Sequence, residues 1–331
     1  MQIIDYKNIT EKLPDCAATI GFFDGVHQGH RFLLENLKEI AAKRGQKTLT
    51  VTFREHPNAI LQSQPTKKLL NTFDEKISLI ADLGIDFCLA LDFSEEISEM
   101  SAAQFIEFLN VKYSVKTLLV GYDNRFGHNR VENFEDYQQS GKKTGVEVVR
   151  ETHAFVMGDG LEISSSKIRH LLQDGNVEKA NQLLGYQYFF SGTVVRGQQI
   201  GNKIGFPTAN IELDCKDKIM PLQGAFSVGV MLDNQTFRGM MNIGYNPTRL
   251  EYNPEKTIER SFSILPAANI TPSEINPYEL HISCAYLNWW VHKKIVAPSF
   301  SARLFIILFT LWTLSGSRPD VGSSKKRIFG R

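Results

Sequence analysis

The chain has 331 residues, of which 42% are hydrophobic and 22% charged, and its formal net charge is +1. At roughly 100–200 residues per domain this is enough for two domains, with a core that needs no disulfide or metal staple. These proportions exclude a largely disordered chain, a collagen-like repeat and a strongly basic nucleic-acid arm. Four cysteines, Cys16, Cys88, Cys215 and Cys284, lie far apart with no C-x-x-C pair, which argues against a disulfide framework and a thiolate zinc site. The charged N-terminus lacks the apolar stretch of a secretory signal. A reducing cytoplasm is the expected compartment, with neither nucleic acid nor membrane as partner.

In chain order, Ala17–Phe22 is a short apolar run ending in a Gly-rich turn. Over Arg31–Arg44 the residues Phe32, Leu33, Leu37, Ile40 and Ala41 share one helical face, and Gly45 provides the stop. Lys47–Phe53 reads as a strand, Asp74–Leu83 as a helix closed by Gly84, and Phe87–Leu91 as a strand. Ser101–Leu109 reads as a helix, and Lys116–Gly121 and Val146–Val149 as strands. This alternation predicts an α/β domain over residues 1–185, a parallel sheet wrapped by helices. Ligands bind at the carboxyl ends of such strands, so the loops after Phe22, Phe53 and Gly121 are the ones to read for chemistry. From residue 186 the texture changes. Tyr188–Val195, Ile219–Leu232 and Gln235–Ile243 are strand-like and closely punctuated by Gly and Pro, which predicts a small antiparallel β-barrel.

The first loop reads Gly21-Phe-Phe-Asp24-Gly25-Val-His27-Gln-Gly29-His30. Its glycines allow a tight turn and close approach to a ligand. The helix that follows offers free N–H groups and a positive dipole end, suited to phosphate. His27 and His30, three apart at that helix start, can face one anion and stabilise charge developing on it. A metal site would need a third ligand, and none accompanies the pair. Farther on, hydroxyls in Ser164-Ser165-Ser166-Lys167-Ile168-Arg169 can cap a helix, and Arg169 can reach phosphate from the same turn.

The loop G-F-F-D-G-V-H-Q-G-H resembles the H-x-G-H-type signature of nucleotidylyl transferases, in the form found in prokaryotic bifunctional riboflavin kinase/FAD synthetases. Thr52-Phe53-Arg54-Glu55-His56-Pro57 resembles that family's T-F-x-x-H-P loop. Gly121-Tyr-Asp123-Asn124-Arg125-Phe126-Gly127 resembles its G-x-D-F-R-F-G, with Asn124 in place of Phe, and Ile163–Arg169 resembles its I-S-S-T-x-I-R. The resemblance implies a Rossmann-like nucleotidylyl transferase domain that acts as an FMN adenylyltransferase. In it His27 and His30 would be catalytic. Gly21, Phe22, Asp24, Gly25, Gly29, Asp123, Ser164, Ser165 and Arg169 would bind the nucleotide and its phosphates, and His56, Pro57 and Asn124 would lie near the flavin.

The stretch from Gly192 to Asn210 resembles the flavokinase pattern G-x-V-x-x-G-x-x-x-G-x-x-x-G-F-P-T-A-N. By that resemblance Gly197, Gly201 and Gly205 would wrap phosphates, Thr208 and Asn210 would hold Mg²⁺ and ATP phosphates, and Glu259 would act as base on the riboflavin 5′-hydroxyl. The implied substrates are riboflavin, FMN and ATP, and the products FMN and FAD. After Glu259 the resemblance stops and the composition breaks. Up to that residue there are 28 Lys+Arg against 33 Asp+Glu; beyond it there are 9 against 3, with all three tryptophans. The tail, residues 260–331, reads as frame-shifted or divergent. Pro266, Pro272 and Pro277 are expected to interrupt any ladder, which leaves the kinase core at 186–259 and its barrel incomplete, while the first domain folds on its own core. Leu304–Leu314 is apolar but shorter than the ~20 residues of a membrane span. The alternatives to a two-activity enzyme are an FMN adenylyltransferase whose kinase module is disabled by the tail, and a non-catalytic flavin-binding protein.

Overall fold

Every residue of the strand Cys16–Ile20 is buried, as a strand covered on both faces of a parallel sheet must be. The computed structural model describes residues 1–6, 12–55, 68–92, 94–122, 126–127, 133–152, 155, 163–195, 209–232, 235–245, 260–266 and 280–284. Cys16–Ile20 is β2 of a six-stranded sheet with β1 (Gln2–Asp5), β3 (Lys47–Phe53), β4 (Phe87–Leu91), β5 (Val115–Val120) and β6 (Glu147–Arg150). The strands run in the order β1-β4-β3-β2-β5-β6, and every pairing is parallel. The chain winds outward from β2 through β3 to β4, then crosses back to β5 on the other side of β2. The switch point of the sheet is therefore the β2/β5 gap, where a ligand crevice is expected.

Alternation along the strands feeds two cores. Ala17 and Leu119 face α1 (Gln28–Arg44) and α2 (Phe73–Ala81). Ala18, Ile20, Leu118 and Val120 face α3 (Glu95–Glu99), α4 (Ala102–Tyr113) and α5 (Phe134–Thr144). Capping boxes start three of these helices: Thr72 with Glu75, Ser101 with Gln104, and Asn133 with Asp136. β1 and α5 were not foreseen. Only one residue of β1 is buried, and two of the residues of α5, so neither shows a clear apolar period.

Two short helices, α6 (Ser165–Gln173) and α7 (Val177–Leu184), lead into a closed antiparallel barrel. Its strands are β7 (Phe189–Val195), β8 (Ala209–Leu213), β9 (Gly224–Leu232), β10 (Gln235–Tyr245), β11 (Arg260–Pro266) and β12 (Leu280–Cys284), in the order β10-β11-β8-β7-β12-β9. The strand expected over Ile219–Leu232 starts five residues later, because Ile219 is used elsewhere, as described below.

The expectation of an incomplete barrel is overturned. β11 pairs with β10 from Tyr245↔Arg260 to Gly239↔Pro266 and touches β8 on its other side, and β12 bridges β7 and β9. Closure needs only these two short strands. Pro266 is the final residue of β11, where its missing N–H interrupts no further rung, and Pro272 and Pro277 lie outside the described residues. A domain end at 259 therefore cuts the barrel. Leu304–Leu314 lies outside the described residues. Among the described residues no helix is long and apolar enough to cross a membrane.

Beside its own two cores, the first domain shares a third with the barrel. One apolar cluster joins Leu70, Ile168, Leu172 and Leu184 to Phe190, Ile211, Phe226 and Met241 of the barrel. Residues 68–72 act as a strap between the two parts. Leu69 N–H donates to Asp217 O (2.8 Å), and Ile219 N–H donates to Leu69 O (2.8 Å). Lys218 Nζ donates to Leu70 O (2.9 Å) and to the Glu75 carboxylate, with the two charged side chains 2% and 3% exposed. Burial pulls the Lys218 ammonium below its ordinary value, and Glu75 opposes that pull. Lys218→Met should strand the Glu75 charge and destabilise the full chain by about 3–5 kcal/mol. Adding Glu75→Gln should return most of that loss, and denaturant unfolding of the two variants checks both statements.

Candidate functional site

The turn after β2 holds three residues in the left-handed region: Phe23 (φ 54°), Gly25 (φ 87°) and Val26 (φ 34°). For a β-branched residue such as Val26 this conformation is costly, and the surroundings must hold it. Gly21 N–H continues the sheet by donating to Val51 O (3.0 Å). At Gly25 a Cβ would come 2.7 Å from Leu70 Cδ1, so glycine is required there on both steric and conformational grounds. The Gly25 carbonyl accepts from the Tyr186 hydroxyl (2.8 Å), and the Val26 carbonyl accepts from Arg31 Nε (3.1 Å).

The turn delivers His27 to the N-cap of α1. Its Nδ1 accepts from His30 N–H (3.3 Å), which leaves the proton of the neutral ring on Nε2. The His27 and His30 rings stack with centroids 3.6 Å apart, and Phe23 meets His30 edge-on at 5.3 Å. Gly29 makes room for this stack, since a Cβ there would lie 3.3 Å from the His27 ring. Burial pushes His27 down to about 4, and the Arg169 charge pushes the same way. Burial, then His27 and Lys76, hold His30 well below its usual value. Both rings are neutral at pH 7 and stand beside the free N–H groups that open α1, at the carboxyl end of the strand beside the switch point.

Asp24 organises the turn from below. Its carboxylate accepts from Leu70 N–H (3.0 Å) and Asn71 N–H (3.2 Å) and ion-pairs with Arg169. Arg169 Nε donates to Lys68 O (2.7 Å), and Ser165 Oγ donates to Asp24 O (2.9 Å). Ser164 is the N-cap of α6, its hydroxyl accepting from Lys167 N–H (3.3 Å). Asp24, Ser165 and Arg169 are thus brought together with the His27/His30 turn. The Asp24 carboxylate and the Arg169 guanidinium are spent largely on each other and on main chain.

Phe22 lies over the ammonium of Lys76, 4.3 Å from ring centroid to Nζ. Sequence reasoning passed over Lys76, Tyr186, Glu75 and Lys218, because a helix Lys in Asp74-Glu75-Lys76 reads as solvated. The signal that was available is spacing: Lys76 lies one turn before Leu79 and Ile80 on the apolar face of α2. In the loop after β5, Phe126 is pinned by Tyr137. The rings stack at 4.3 Å, and the Phe126 N–H donates to the Tyr137 hydroxyl (3.1 Å). Asn210 sits half-buried on β8, in register with Val195 and Ser263. His56, Pro57, Asp123, Asn124, Gly197, Gly201, Gly205, Thr208 and Glu259 lie outside the described residues.

The FAD synthetase family matches residues 9–167 and the riboflavin kinase family matches residues 184–285. The bifunctional riboflavin kinase/FMN adenylyltransferase of Escherichia coli (strain K12) is 37% identical over 235 residues, covering 70% of this chain and 74% of that protein. A protein of the same description from Bacillus subtilis (strain 168) is 33% identical over 252 residues, covering 75% of this chain and 78% of that one. A solved structure described as a macrolide-efflux protein from Streptococcus pneumoniae superposes with a TM-score of 0.80 over 96% of this chain and 100% of its own. At 24% identity that likeness speaks for the fold alone.

The neutral histidines carry a pH signature. Between its ordinary 6.5 and about 4, His27 binds a proton more readily in the unfolded chain than in the folded one. Stability should therefore fall as pH drops through that window, by up to about 3 kcal/mol from His27. His27→Asn keeps an acceptor for His30 N–H and should flatten the slope. Denaturant midpoints measured from pH 7 to pH 4 test this, and identical slopes in the two proteins would refute it.

Proposed function

Because the chain belongs to the family of bifunctional riboflavin kinase/FMN adenylyltransferases, we propose that it makes FAD in two ATP-dependent steps, with the side chains described above serving the second. In the first step the barrel module transfers the γ-phosphoryl group of ATP to the 5′-hydroxyl of riboflavin, giving FMN and ADP. In the second step a phosphate oxygen of FMN attacks the α-phosphorus of another ATP. The bond to the β,γ-phosphates breaks, pyrophosphate leaves and FAD is formed.

The observation that carries the second step is the stacked His27/His30 pair at the N-terminus of α1, beside the β2/β5 switch point. Phosphoryl and nucleotidyl transfer demand positioned charge stabilisation more than covalent chemistry. The α1 amides and the Nε2–H of His27 are donors fixed before the substrate arrives, and His30 lies against them. Both rings are neutral in a poorly hydrated pocket, where donors fixed in advance count most as negative charge builds on the phosphates. In this reading Asp24 and Arg169 position the turn, Ser165 locks α6 to it, and Asp123, His56, Pro57 and Asn124 act from the neighbouring loops on nucleotide and flavin.

For the first step the closed barrel and the family match over residues 184–285 support a complete kinase module rather than a disabled one. Mg²⁺ is the cation we assign to it. Among the described residues no group of three or more His, Cys, Asp or Glu could hold a metal. Mg²⁺ commonly arrives with nucleotide phosphates and takes only one or two protein oxygens. Thr208 and the amide oxygen of Asn210 are hard, neutral ligands of that kind, and the ion would neutralise charge on the phosphates they face. Gly197, Gly201 and Gly205 would present main-chain N–H groups, and Glu259 would hold the proton leaving the riboflavin hydroxyl.

His30→Ala should lower FAD formation from FMN by ~10²–10³ and leave FMN formation from riboflavin unchanged. Thr208→Ala should do the reverse. Paired assays on the purified full chain read both activities. A His30→Ala variant that adenylylates FMN at the wild-type rate would remove the phosphate role given to this residue.

A further inference from the structure

Lys76, one turn into α2, is only 3% exposed, yet the hydrogen bonds of its ammonium go to main chain rather than to a carboxylate. Nζ donates to Phe22 O (3.0 Å) and to Phe53 O (2.8 Å). These carbonyls belong to two different loops: Phe22 lies in the turn that carries Asp24, His27 and His30, and Phe53 ends β3, immediately before Arg54-Glu55-His56-Pro57. The Phe22 ring lies 4.3 Å from Nζ and the Phe73 ring 5.5 Å, so aromatic faces cover the charge. Thr52 Oγ1 adds a further donor to Phe22 O (3.2 Å). A buried cation is costly, and an apolar side chain of similar size would commonly serve a core as well or better. The feature that needs the ammonium is the convergence of two carbonyl dipoles from adjacent strand ends.

We propose that Lys76 is a positioning residue for adenylyl transfer: its ammonium staples the phosphate-side turn to the flavin-side loop and sets the separation at which FMN meets ATP. The inference rests on the function proposed above and adds to it a residue that touches neither substrate. The groups that face Lys76 are Asp24 from the turn, His30 from α1 and Cys88 from β4; Arg54, at the end of β3, stacks on the same Phe73 ring at 4.9 Å. Burial lowers Lys76 to about 8, with Asp24 and then Cys88 working against the shift, and Cys88 is itself pushed up to about 12 by burial. The staple is therefore charged at pH 7 and loses its proton as the pH rises through about 8. The barrel module contains no part of it.

The test measures FAD formation from FMN and FMN formation from riboflavin on the full chain, from pH 6.5 to 10, for wild type, Lys76→Met and Lys76→Arg. Lys76→Met should lose on the order of 10²-fold in kcat/KM for adenylylation, the scale of a misplacement near 1 Å, with kinase activity unchanged. Wild-type adenylylation should fall above pH ~8 while the kinase activity of the same sample does not. Lys76→Arg, which keeps its charge throughout this range, should retain adenylylation and move the alkaline limb upward. Wild-type adenylylation in Lys76→Met overturns the proposal. So does an unmoved alkaline limb in Lys76→Arg, and that criterion stands even where the methionine variant fails to fold. A wild-type chain that makes no FAD at any pH overturns the proposed function and this inference with it; a wild-type chain that makes FAD, with an unaffected methionine variant, overturns the inference alone.

Discussion

The Asp24 carboxylate, 4% exposed, is the point on which the rest of the structure turns. A charge so far from water is tolerable only when its oxygens are met by donors. Three chain segments supply what it needs. The turn brings the carboxylate itself, the strap gives Leu70 N–H and Asn71 N–H, and α6 gives Arg169, while Ser165 engages the Asp24 carbonyl. None of these can shift without stranding the others. The left-handed Phe23 and Val26 flank the same residue, and strain of about 1–3 kcal/mol at such positions persists only where the surroundings over-determine it.

From Asp24 the constraint passes into the barrel. Leu69 and Leu70, whose neighbouring amides bind the carboxylate or the barrel entry, offer their carbonyls to Ile219 N–H and Lys218 Nζ. Glu75 completes the link: one of its oxygens accepts from Thr72 N–H and also meets Lys218. Behind these polar contacts, α6 and α7 share a single apolar cluster with barrel strands. The helix that carries the Ser165 and Arg169 contacts is therefore packed on the second module, and removing that module would expose the support of the first module's turn. Co-location of two activities on one chain has here a structural basis in a common core.

The sequence made the parallel sheet legible because its strands are long apolar runs and its helices carry clear periods and stops. The turn of His27 and His30 was legible as a turn because glycine and aspartate there answer to requirements of the main chain. The barrel strands at 260–266 and 280–284 were misread for a reason of scale. Ser261-Phe262-Ser263-Ile264 and Leu280-His281-Ile282-Ser283 alternate well enough for strands, but the shift in charge and the prolines dominated a longer window. Arg169 shows a different limit. Its spacing from Ser164 was compatible with phosphate, and only the fold reveals that Asp24, 145 residues away in sequence, claims its guanidinium. Lys76 and Lys218 were invisible for the same reason: a buried lysine is identified by the carbonyls and carboxylates that gather around it, and those come from elsewhere in the chain.

The two histidines bring these constraints to bear on chemistry. Their low proton affinity comes from burial, burial comes from the tight turn, and the turn is held by Asp24 from below and by Lys76 from the β3 side. A looser, better hydrated turn would leave His27 and His30 closer to their ordinary titration. They would then offer charge that water had already screened, and reorganisation would fall due at the moment of reaction. In the function proposed above, the Nε2–H of His27 and the α1 amides, held in a low-dielectric corner, count most when negative charge arrives on the phosphates. In that reading, the stability forgone to bury charged and strained groups around the turn serves one event, the passage of the phosphates through the transition state.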